Sequence, residues 1–588
     1  MESISYFDDI TGEYLGSPYS SLLESSNIEK ADLKRNLSKY ILSISGWRAI
    51  IAKSNDEEDD SYLVSDEDLV LSSLFALSFY RYIGDDSKIV VGRDARPTGR
   101  LIGEAVLRTL LAFGADVSYI ATSAAPENMA YSNYGFDGFF YISASHNPIG
   151  HNGYKFGKNG GVFGENDAEC VKSNLFDLLE DDELIKKLIN ILSSPLAEEE
   201  AVLIRHKNNK ENALSCYEKF VLETAGGDFR LDKKIGVVVD FNGSARARSI
   251  DIPFLRSHGI DVFAINNQPG QVVHGIVPEC GNLELCRTVL EGLNKKEPHF
   301  ILGYVPDNDG DRGNLVYYSK KDKKAKLLGA QSVFALVVLI DLAEDALLSK
   351  KSAVAANGCT SLLINEIAKK LGADVFHSDV GEANVVSLAS RLRKAGYSVK
   401  AAGEGSNGGV IEYPAKVRDP MNTIMTILKL YYNDVLLLKV KEVLGINESD
   451  ISSIIEALPE YITTSSFSKE GVLHAEVDDY DLFKKNYESN FSMHYRELID
   501  ECGFTGYKVY QYEGDEETSG EGEECRVKNS TGGYRVELEK DGESVAFLWF
   551  SKSRTESLLR LMVDIKGNDE ALYHKLLDWQ HELILKSL

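Results

Sequence analysis

Basic residues are scarce in this chain of 588 residues, in which 64 Lys and Arg are set against 91 Asp and Glu, for a formal net charge of −27. Nucleic-acid binding needs a basic face that this composition does not supply, so we expect no nucleic-acid partner.

Long apolar runs are also missing. The most apolar stretch, Val333 to Ile340, is far shorter than the ~20 residues of a membrane-spanning helix. No charged-then-apolar leader opens the chain. We therefore expect no membrane partner and a cytoplasmic location.

Cysteine is also infrequent. The seven cysteines are scattered from Cys170 to Cys525, are odd in number and show no metal-ligand spacing, which predicts reduced thiols. Cys359 stands beside Thr360 and Ser361, a setting that raises the question of a nucleophile. Free cysteine is usually a small buried hydrophobe, which favours a core position at the end of a strand.

The length exceeds what one hydrophobic core supports and predicts three to five domains of about 100–200 residues each. The composition, 43% hydrophobic and 26% charged residues, is that of an ordinary globular protein. A strand, helix and second strand are predicted at 88–91, 100–113 and 116–120. Similar α/β units follow within 234–305 and 353–402, so we predict an α/β fold with a repeated unit.

The polar loop after the apolar run Phe139 to Ile142 is the first candidate site. It reads Ser143-Ala144-Ser145-His146-Asn147-Pro148 and is soon followed by Asn152-Gly153-Tyr154-Lys155. In open α/β sheets, ligands bind at the carboxyl ends of the strands. A hydroxyl nucleophile, an imidazole and an amine delivered there together form a candidate catalytic site.

The second candidate site follows a predicted buried strand at 300–305 and reads Pro306-Asp307-Asn308-Asp309-Gly310-Asp311-Arg312. Three carboxylates at alternate positions converge readily on one hard cation, because Gly310 permits a tight turn and oxygen ligands suit Mg²⁺. An EF-hand is excluded, since its loop position 12 needs Glu and that position here is Tyr318. An acidic turn without a metal is the alternative.

The loop around Ser145 closely resembles the phosphoserine loop of the α-D-phosphohexomutases, the family of phosphoglucomutases and phosphomannomutases. The resemblance implies that Ser145 carries a phosphoryl group, with His146 and Lys155 as its proton-transfer partners. Upstream, Ile44-Ser45-Gly46-Trp47-Arg48 resembles the family's Thr-Ser-Gly-x-Arg-Gly loop, with Ile44 for Thr and Ala49 for the final Gly. It implies that Arg48 faces the phosphoserine.

The acidic loop is similar to the family's metal loop, Asp-Gly-Asp-Gly-Asp-Arg, from which only Asn308 departs. The resemblance implies that Mg²⁺ is bound by Asp307, Asp309 and Asp311 together with the phosphate on Ser145. Arg312, the last residue of the motif, is an expected substrate contact.

A third loop, Gly403-Glu404-Gly405-Ser406-Asn407-Gly408-Gly409, resembles the family's sugar-recognition loop Gly-Glu-x-Ser-Gly. Glu404 and Ser406 are implied to bind vicinal hydroxyls, with Asn407 beside them. Asn407 and Gly408 replace the Gly and His of many members, so the loop supports a sugar more firmly than any named sugar. Arg418 matches a further family element and is an expected substrate contact. A glycine-rich turn without a ligand is the alternative.

The fourth loop follows a predicted strand at 545–550 and is similar to the family's phosphate clamp, Arg-Pro-Ser-Gly-Thr-Glu-Pro. Ser553, Thr555 and Glu556 match, whereas Ser551 replaces the first arginine. Arg554 is expected to supply the missing guanidinium, because arginine binds phosphate bidentately. The implied phosphate contacts are Ser553, Arg554, Thr555 and Arg560. An ordinary polar turn is the alternative.

Structural predictions follow for three further segments of the sequence. In Gly92-Arg93-Asp94-Ala95-Arg96-Pro97-Thr98-Gly99, another family-like loop, Arg93 and Asp94 are expected to hold loops together as a partly buried ion pair rather than to contact substrate. The acidic, Gly-rich stretch Tyr512 to Glu524 predicts a mobile surface loop. Residues 1–43 precede the resemblance and form an extension in which 28–42 predicts one amphipathic helix.

The fold implied by the resemblance is three topologically similar α/β domains plus a smaller α+β C-terminal domain around a central cleft. The predicted segments are an N-terminal extension at 1–43, a phosphoserine domain at 44–222, a metal-binding domain at 223–326, a sugar-recognition domain at 327–458 and a C-terminal phosphate-binding domain at 459–588.

The implied reaction interconverts hexose 1-phosphate and hexose 6-phosphate, with glucose and/or mannose as the sugar. Its cofactors are Mg²⁺ and a hexose 1,6-bisphosphate, its partner is a phosphorylated hexose, and the expected state is monomer or homodimer. Three alternatives stay open: a sugar-bisphosphate synthase, a phosphopentomutase, and a sugar-phosphate-binding regulator that has lost catalysis.

Overall fold

The computed structural model describes residues 5–227, 229, 231, 233–405, 408–526, 531–553 and 558–588. The chain forms two compact units. The first contains Met1–Tyr318 and Pro414–Met421, and the second contains Ser319–Tyr413 and Asn422–Leu588. The predicted division into five segments stays a prediction.

The first unit opens with an N-terminal hairpin and continues into its first sheet and the helices that cover that sheet. The strands are β1 Tyr6–Phe7, β2 Tyr14–Gly16, β3 Ile41–Ser43, β4 Gly46–Ile50, β5 Lys88–Arg93, β6 Asp116–Thr122, β7 Gly138–Ile142, β8 His151–Lys158 and β9 Gly161–Val162. The helices are α1 Lys30–Leu37, α2 Asp66–Ile83, α3 Gly99–Ala112, α4 Ala125–Ser132, α5 Glu165–Leu179, α6 Asp182–Ser193 and α7 Ala197–Ala225. The strand order is β3-β4-β8-β7-β5-β6, with β9 on β8.

A second α/β repeat completes the first unit. It contains β10 Ile235–Asp240, α8 Asp251–Ser257, β11 Ile260–Ile265, α9 Glu284–Asn294, β12 Phe300–Pro306 and β13 Gly313–Ser319. A 3₁₀ turn at Ala245–Arg248 precedes α8. The turn carries Arg246, whose contacts are described below.

The second unit contains the third repeat. The unit begins with β14 Lys324–Leu328, which is not part of that repeat's sheet. The elements of the third repeat are α10 Ala330–Leu347, β15 Ala353–Asn357, α11 Leu363–Leu371, β16 Asp374–Ser378, α12 Glu382–Lys394, β17 Ala401–Glu404 and β18 Gly409–Glu412. Leu327 and Leu328 belong to β14, and α10 starts at Ala330. Cys359 is buried beside Leu362 and Tyr512, as predicted, and none of the seven cysteines, all within the described residues, is in a disulfide.

An antiparallel sheet and its covering helices form the C-terminal part of the second unit. The elements are α13 Pro420–Tyr432, α14 Asp434–Leu444, α15 Ile451–Glu456, β19 Tyr461–Thr463, β20 Val472–His474, α16 Tyr480–Cys502, β21 Gly506–Glu513, β22 Glu516–Ser519, β23 Tyr534–Lys540, β24 Glu543–Lys552, β25 Leu558–Lys566 and α17 Glu570–Ser587. The strand order is β19-β25-β24-β23-β21-β22, with β20 on β25.

The three α/β repeats share one strand pattern. A central strand (β5, β10 or β15) pairs in parallel with the next strand on one side (β6, β11 or β16) and with a third strand on the other (β7, β12 or β17). That third strand pairs antiparallel with a fourth (β8, β13 or β18). The predicted α/β fold with similar repeats is therefore confirmed. The Ser145, Asp307 and Glu404 loops each lie between the third and fourth strands.

The acidic stretch 512–524 is not the surface loop that its composition predicted. Strands β21 and β22 form a hairpin through it, with Tyr512 opposite Glu517. The reason is that Tyr512 is buried, only 2% exposed, and anchors the strand in a small core. Gly514 takes φ of 58° at the turn, a conformation that glycine adopts without strain. Composition favoured disorder, but one aromatic residue fixes the strand.

The N-terminal segment is built into the first unit. Its predicted helix is shorter than expected, spanning only Lys30–Leu37. Arg108 of α3 is fully buried and donates to the backbone oxygens of Ser17 and Ser20 at 2.6 and 2.8 Å. It also pairs with Glu104 at 2.7 Å and Glu199 at 2.8 Å. One guanidinium thus joins the segment to α3 and α7.

Arg93 and Asp94 do hold loops together, but the predicted pairing between them is wrong. Arg93 pairs with Glu13 of the N-terminal segment at 2.6 Å, while Asp94 pairs with Arg96 at 3.1 Å. Both side chains are buried, Arg93 at 2% exposure and Asp94 at 0%. The partner of Arg93 lies 80 residues away, whereas the partner of Asp94 is two residues downstream in the same loop.

Candidate active site

Ser145 lies in the loop between β7 and β8 and is fully buried. Its hydroxyl donates to Oδ2 of Asp307 at 3.0 Å and accepts from Nη1 of Arg312 at 2.5 Å. Its backbone φ is 55°, a left-handed conformation that non-glycine residues rarely adopt. The loop therefore directs the hydroxyl at the acidic loop of the second repeat.

Ser143 connects the same two loops. Its hydroxyl accepts from the Ser145 amide at 2.8 Å and donates to Oδ2 of Asp309 at 3.1 Å. In the sequence Ser143 is one residue of the polar motif, and no function was predicted for it. A hydroxyl that both accepts and donates is suited to this bridging position.

Asp307, Asp309 and Asp311 converge as the alternate spacing predicted. One carboxylate oxygen from each lies within 4.8 Å of the others, and all three residues are buried. Among the described residues, Oδ1 of Asp309 and Oδ1 of Asp311 have no hydrogen-bond partner. Buried carboxylate oxygens without partners are costly, and Mg²⁺ prefers such ligands. The donor set therefore fits a hard divalent cation.

Charge is distributed unevenly over the three carboxylates. Burial and the neighbouring Asp309 and Asp311 raise the pKa of Asp307 well above its ordinary range. Burial acts in the same direction on Asp311, but Arg418 and Lys155 hold the pKa of Asp311 well below its ordinary range. The two pKa values differ because, apart from burial, Asp307 is influenced mainly by the other two carboxylates, whereas Asp311 is influenced mainly by Arg418 and Lys155. A bound cation would relieve the repulsion on Asp307.

Lys155, on β8, is the ammonium closest to the acidic loop. It pairs with Oδ2 of Asp309 at 2.6 Å and Oδ2 of Asp311 at 3.0 Å. Burial opposes its charged form, yet these two carboxylates raise the pKa of Lys155 above its ordinary value. Lys155 is therefore an ammonium at neutral pH and can give a proton.

His146 is held as a neutral imidazole. Burial, together with the charges of Arg312 and Arg48, keeps the pKa of His146 well below its ordinary value of 6.5. Nη1 of Arg312 lies 3.0 Å from Nδ1. Because a guanidinium only donates, Nδ1 is the acceptor and the imidazole proton is on Nε2.

Two more arginines face this cluster. Arg418 pairs with Oδ2 of Asp311 at 2.9 Å. Arg48, on β4, is half-buried and lies near Arg312 and Arg418, and partial loss of solvation together with the charge of Arg312 lowers the pKa of Arg48 to about 10. Arg48 remains charged at neutral pH. Three guanidiniums and one ammonium around three carboxylates make a strongly polar, buried site that suits an anion with several oxygens.

Arg246 binds the backbone of the acidic loop, a contact that the sequence did not predict. Its side chain is buried, and its Nη1 donates to the Gly310 carbonyl at 3.0 Å. It also pairs with Asp251 at 2.7 Å and Asp419 at 3.2 Å. An arginine in a polar segment such as Ser244–Ser249 looks solvated in the sequence, and only its distant partners identify its contacts.

In the second unit, Glu404 is 2% exposed, and its Oε1 accepts from the amide of Gly381 at 2.8 Å and from Nδ2 of Asn357 at 3.2 Å. The other two predicted residues of this loop, Ser406 and Asn407, lie outside the described residues. So do Arg554 and Thr555 of the predicted phosphate clamp.

Two predicted clamp residues are described. The Ser553 amide donates to the Leu558 carbonyl at 2.9 Å. Arg560, on β25, donates to the Ser466 carbonyl at 2.9 Å. The phosphate-binding roles of both residues stay predictions.

Comparison with known protein families gives two matches. The family described as "Phosphoglucomutase/phosphomannomutase, alpha/beta/alpha domain I" matches residues 46–180. The corresponding domain III matches residues 332–445. The first match contains Arg48, Ser145, His146 and Lys155, and the second contains Glu404 and Arg418.

Several curated proteins are similar in sequence. A phosphoglucosamine mutase of Thermodesulfovibrio yellowstonii is 28% identical over 313 residues, which is 53% of this chain and 63% of that protein. The chain thus spans less than two thirds of that relative. A phosphoglucomutase/phosphomannomutase of Thermococcus kodakarensis is 26% identical over 377 residues, or 63% of this chain and 72% of that protein.

Solved structures share the fold. A phosphoglucomutase/phosphomannomutase family protein from Burkholderia thailandensis has a TM-score of 0.60 at 16% identity and covers 93% of this chain and 97% of its own. The Paramecium phosphoprotein parafusin, a phosphoglucomutase, has a TM-score of 0.56 at 14% identity, with 88% and 91% covered. Within the described ranges, no helix has the length and apolarity needed to cross a membrane.

Proposed function

Because this chain belongs to the α-D-phosphohexomutase superfamily, we propose that it is a phosphohexomutase acting on hexose 1-phosphate and hexose 6-phosphate, with glucose and/or mannose as the sugar. The observation that carries the proposal is the position of the Ser145 hydroxyl, 3.0 Å from Asp307 and 2.5 Å from Arg312. A serine hydroxyl in contact with both a cation-binding carboxylate and a guanidinium is suited to carry a phosphoryl group.

The reaction has two transfers. In the first, the bond between Ser145 Oγ and phosphorus breaks while the free hydroxyl of the hexose monophosphate bonds to that phosphorus and loses its proton. The resulting hexose 1,6-bisphosphate turns over in the site. In the second transfer, its other phosphate returns to Ser145 Oγ, which restores the phosphoenzyme and releases the isomeric monophosphate.

Residues of the first unit would stabilise the negative charge on the phosphoryl group and transfer the proton in these two steps. Arg312 and Arg48 bind the phosphoryl oxygens. Lys155 gives a proton to the departing Ser145 oxygen and, as the neutral amine, takes up the proton that the substrate hydroxyl loses; the reverse transfer runs the same exchange backwards. His146 is the second candidate for this proton transfer. Mg²⁺ held by Asp307, Asp309 and Asp311, with the Ser145 phosphate as a further ligand, would neutralise charge that develops on the transferring group.

Residues outside this cluster would bind the rest of the substrate. Glu404, Ser406 and Asn407 bind sugar hydroxyls, and Arg418 binds phosphate beside Asp311. The non-transferring phosphate is bound in the C-terminal part by Ser553, Arg554, Thr555 and Arg560. Arg554 takes the role of the arginine that Ser551 replaces.

A hexosamine phosphate is the second candidate substrate, since the relative from Thermodesulfovibrio yellowstonii is a phosphoglucosamine mutase. The sugar loop departs from the common pattern at Asn407 and Gly408, so it does not favour a neutral hexose over an amino sugar.

The test is turnover of glucose 1-phosphate, mannose 1-phosphate, glucosamine 1-phosphate and ribose 1-phosphate, each with Mg²⁺ and a trace of the matching bisphosphate. We expect conversion of a hexose phosphate and a phosphate on Ser145 by mass spectrometry. Net accumulation of bisphosphate indicates a synthase, and preference for ribose 1-phosphate indicates a pentomutase. Binding without turnover of any sugar phosphate indicates a silent regulator and contradicts the proposal.

A further inference from the structure

Arg96 is a fully buried arginine in the loop after the central strand β5. Its guanidinium is surrounded by backbone oxygens of the loop that carries Ser145. Nη2 donates to the carbonyls of Ser145 at 2.8 Å and Asn147 at 2.6 Å. Nη1 donates to the carbonyls of His151, at 3.0 Å, and Pro148. Four carbonyls of one loop thus point at a single cation.

The remaining donor of Arg96 is also used. Nε pairs with Oδ2 of Asp94 at 3.1 Å, and Oδ1 of Asp94 accepts the Arg96 amide at 2.9 Å. A guanidinium has five N–H donors, and all five of these have acceptors within the protein. Arg96 therefore has no donor left for a substrate phosphate, and any effect it has on the reaction is exerted through the Ser145 loop.

The Ser145 loop needs such a cation. Ser145 has φ of 55°, an uncommon conformation that persists only when surrounding contacts impose it. Converging carbonyl dipoles repel one another, and buried carbonyls need donors. Arg96 meets both needs at once. The Ser143 hydroxyl, which accepts the Ser145 amide at 2.8 Å, fixes the other side of the same residue.

The other repeats have contacts at the equivalent position. In the second repeat, Arg246 follows the central strand β10 and donates to the Gly310 carbonyl of the acidic loop at 3.0 Å. In the third repeat, Thr360 follows β15 and accepts the Gly405 amide of the sugar loop at 3.4 Å. In each repeat, a residue of the loop after the central strand therefore binds the loop between the third and fourth strands.

We propose that Arg96 is a positioning residue for phosphoryl transfer, which fixes the backbone of residues 145–151 so that Ser145 Oγ is held between Asp307 and Arg312. The proposal rests on the proposed function. In-line transfer depends on the position of the oxygen, and a displacement of about 1 Å costs about a hundredfold in rate. Arg96 acts on Ser145 without touching substrate.

The test compares Arg96→Lys with Arg108→Lys. Lysine keeps the charge but donates from a single atom, so it cannot span four carbonyls. Arg108 is the matched control, because it is also fully buried and binds carboxylates and backbone carbonyls, none of which belong to the Ser145 loop. Both variants remove a buried guanidinium from the same unit.

For Arg96→Lys we expect kcat per phosphorylated enzyme to fall about a hundredfold, with KM changed less than about threefold, since substrate contacts are retained. The amides of Ser145, Asn147 and His151 should exchange hydrogen faster. For Arg108→Lys we expect a lower Tm, a kcat within about twofold of wild type and unchanged exchange at those amides. A folded Arg96→Lys that keeps kcat within about threefold, or an equal loss in Arg108→Lys, overturns the proposal.

Asp94→Asn is the second variant if Arg96→Lys does not fold. It weakens the contact that orients Arg96, so we expect about a tenfold loss of kcat, with Glu199→Gln as the control that alters a partner of Arg108 instead. Full kcat in folded Asp94→Asn overturns the proposal. If wild-type protein converts no sugar phosphate, the proposed function fails, and hydrogen exchange at residues 145–151 still decides whether Arg96 fixes the loop.

Discussion

The Ser145 loop and the Glu404 loop occupy the same place in two copies of one topology, yet they are held differently. Arg96 binds four carbonyls of the Ser145 loop. Thr360 provides one contact to the Gly405 amide, at 3.4 Å. Under the proposed function, Ser145 must be fixed relative to the atom that it attacks, whereas the Glu404 loop must fit a substrate that turns over between two transfers. The proposed function therefore predicts a more rigid support for the Ser145 loop.

The largest expected effect is that of Ser145→Ala, which removes the proposed phosphoryl carrier from the tightly held loop. We expect mutase turnover to be abolished and the fold retained, because the loop backbone keeps its contacts with Arg96. The measurements are kcat, Tm and phosphate content by mass spectrometry. Near-normal turnover by this variant would contradict the assignment of Ser145.

Asp309→Asn is next in expected size. It removes one anionic ligand from the proposed cation site, so Mg²⁺ affinity and kcat should fall together, by at least about tenfold each. Asp240→Asn is a matched control, since Asp240 is a buried aspartate at the end of β10 that binds Asn266 and His274 instead. Activity that survives EDTA would show that the metal assignment is wrong.

Arg554→Ala tests the phosphate clamp of the C-terminal part, where the family pattern is altered. A charge-assisted contact with phosphate is worth roughly 1.5–3 kcal/mol, so KM for glucose 1-phosphate should rise about ten- to a hundredfold. Phosphorylation of Ser145 by the bisphosphate should survive. The comparison variant is Arg560→Ala, and a large loss there with none in Arg554→Ala would refute the idea that Arg554 compensates for Ser551.

Thr360→Val tests the weaker hold on the sugar loop. The Thr360 hydroxyl accepts the Gly405 amide at 3.4 Å and donates to Oδ1 of Asn357 at 2.7 Å. Loss of hydrogen bonds worth about 0.5–1.5 kcal/mol each should raise KM about threefold to tenfold and leave Ser145 phosphorylation unchanged. A hundredfold fall in kcat would mean that the two loops need equally rigid support.

Both loops were located from the sequence, because an apolar run that stops at a polar cluster is a local pattern. Strand β7, for example, was predicted at 139–142 and spans Gly138–Ile142. The residues that hold the loops were not located. Arg96, which binds the Ser145 loop, and Arg246, which binds the acidic loop, stand in polar segments where an arginine is ordinarily solvated. The carbonyls of Ser145 and Gly310 that they bind lie 49 and 64 residues away in the chain. Such contacts leave no periodicity.

The same limit explains the errors in the fold. The hairpin of β21 and β22 depends on the burial of Tyr512 against distant residues, which acidic composition does not reveal. The partner of Arg93 is Glu13, 80 residues away. For the site, the convergence of Asp307, Asp309 and Asp311 follows from alternate spacing, whereas their contacts with Ser145 and Lys155 required the folded chain.

The smallest effect on activity is expected for Glu199→Gln, which tests whether the buried cluster around Arg108 affects only stability or also the reaction. Glu199 and Glu104 share the guanidinium of Arg108, and burial together with the Glu104 charge raises the pKa of Glu199 from its ordinary value of 4.5 to about 8. The folded protein thus keeps a proton that the unfolded chain releases near pH 4.5. Wild-type stability should therefore fall as pH rises from about 4.5 and level off above about 8.

Glutamine resembles the protonated carboxyl, because it can still accept from Arg108 and donate to Glu104. We expect Glu199→Gln to match wild-type stability near pH 5 and to exceed it near pH 9, at about 1.4 kcal/mol per unit of pKa shift as an upper bound. Urea unfolding at the two pH values measures this, with kcat expected within about twofold of wild type. A stability difference that is independent of pH would mean that Glu199 is ionised in the folded protein. A large loss of kcat would mean that the Arg108 cluster, like Arg96, serves the reaction.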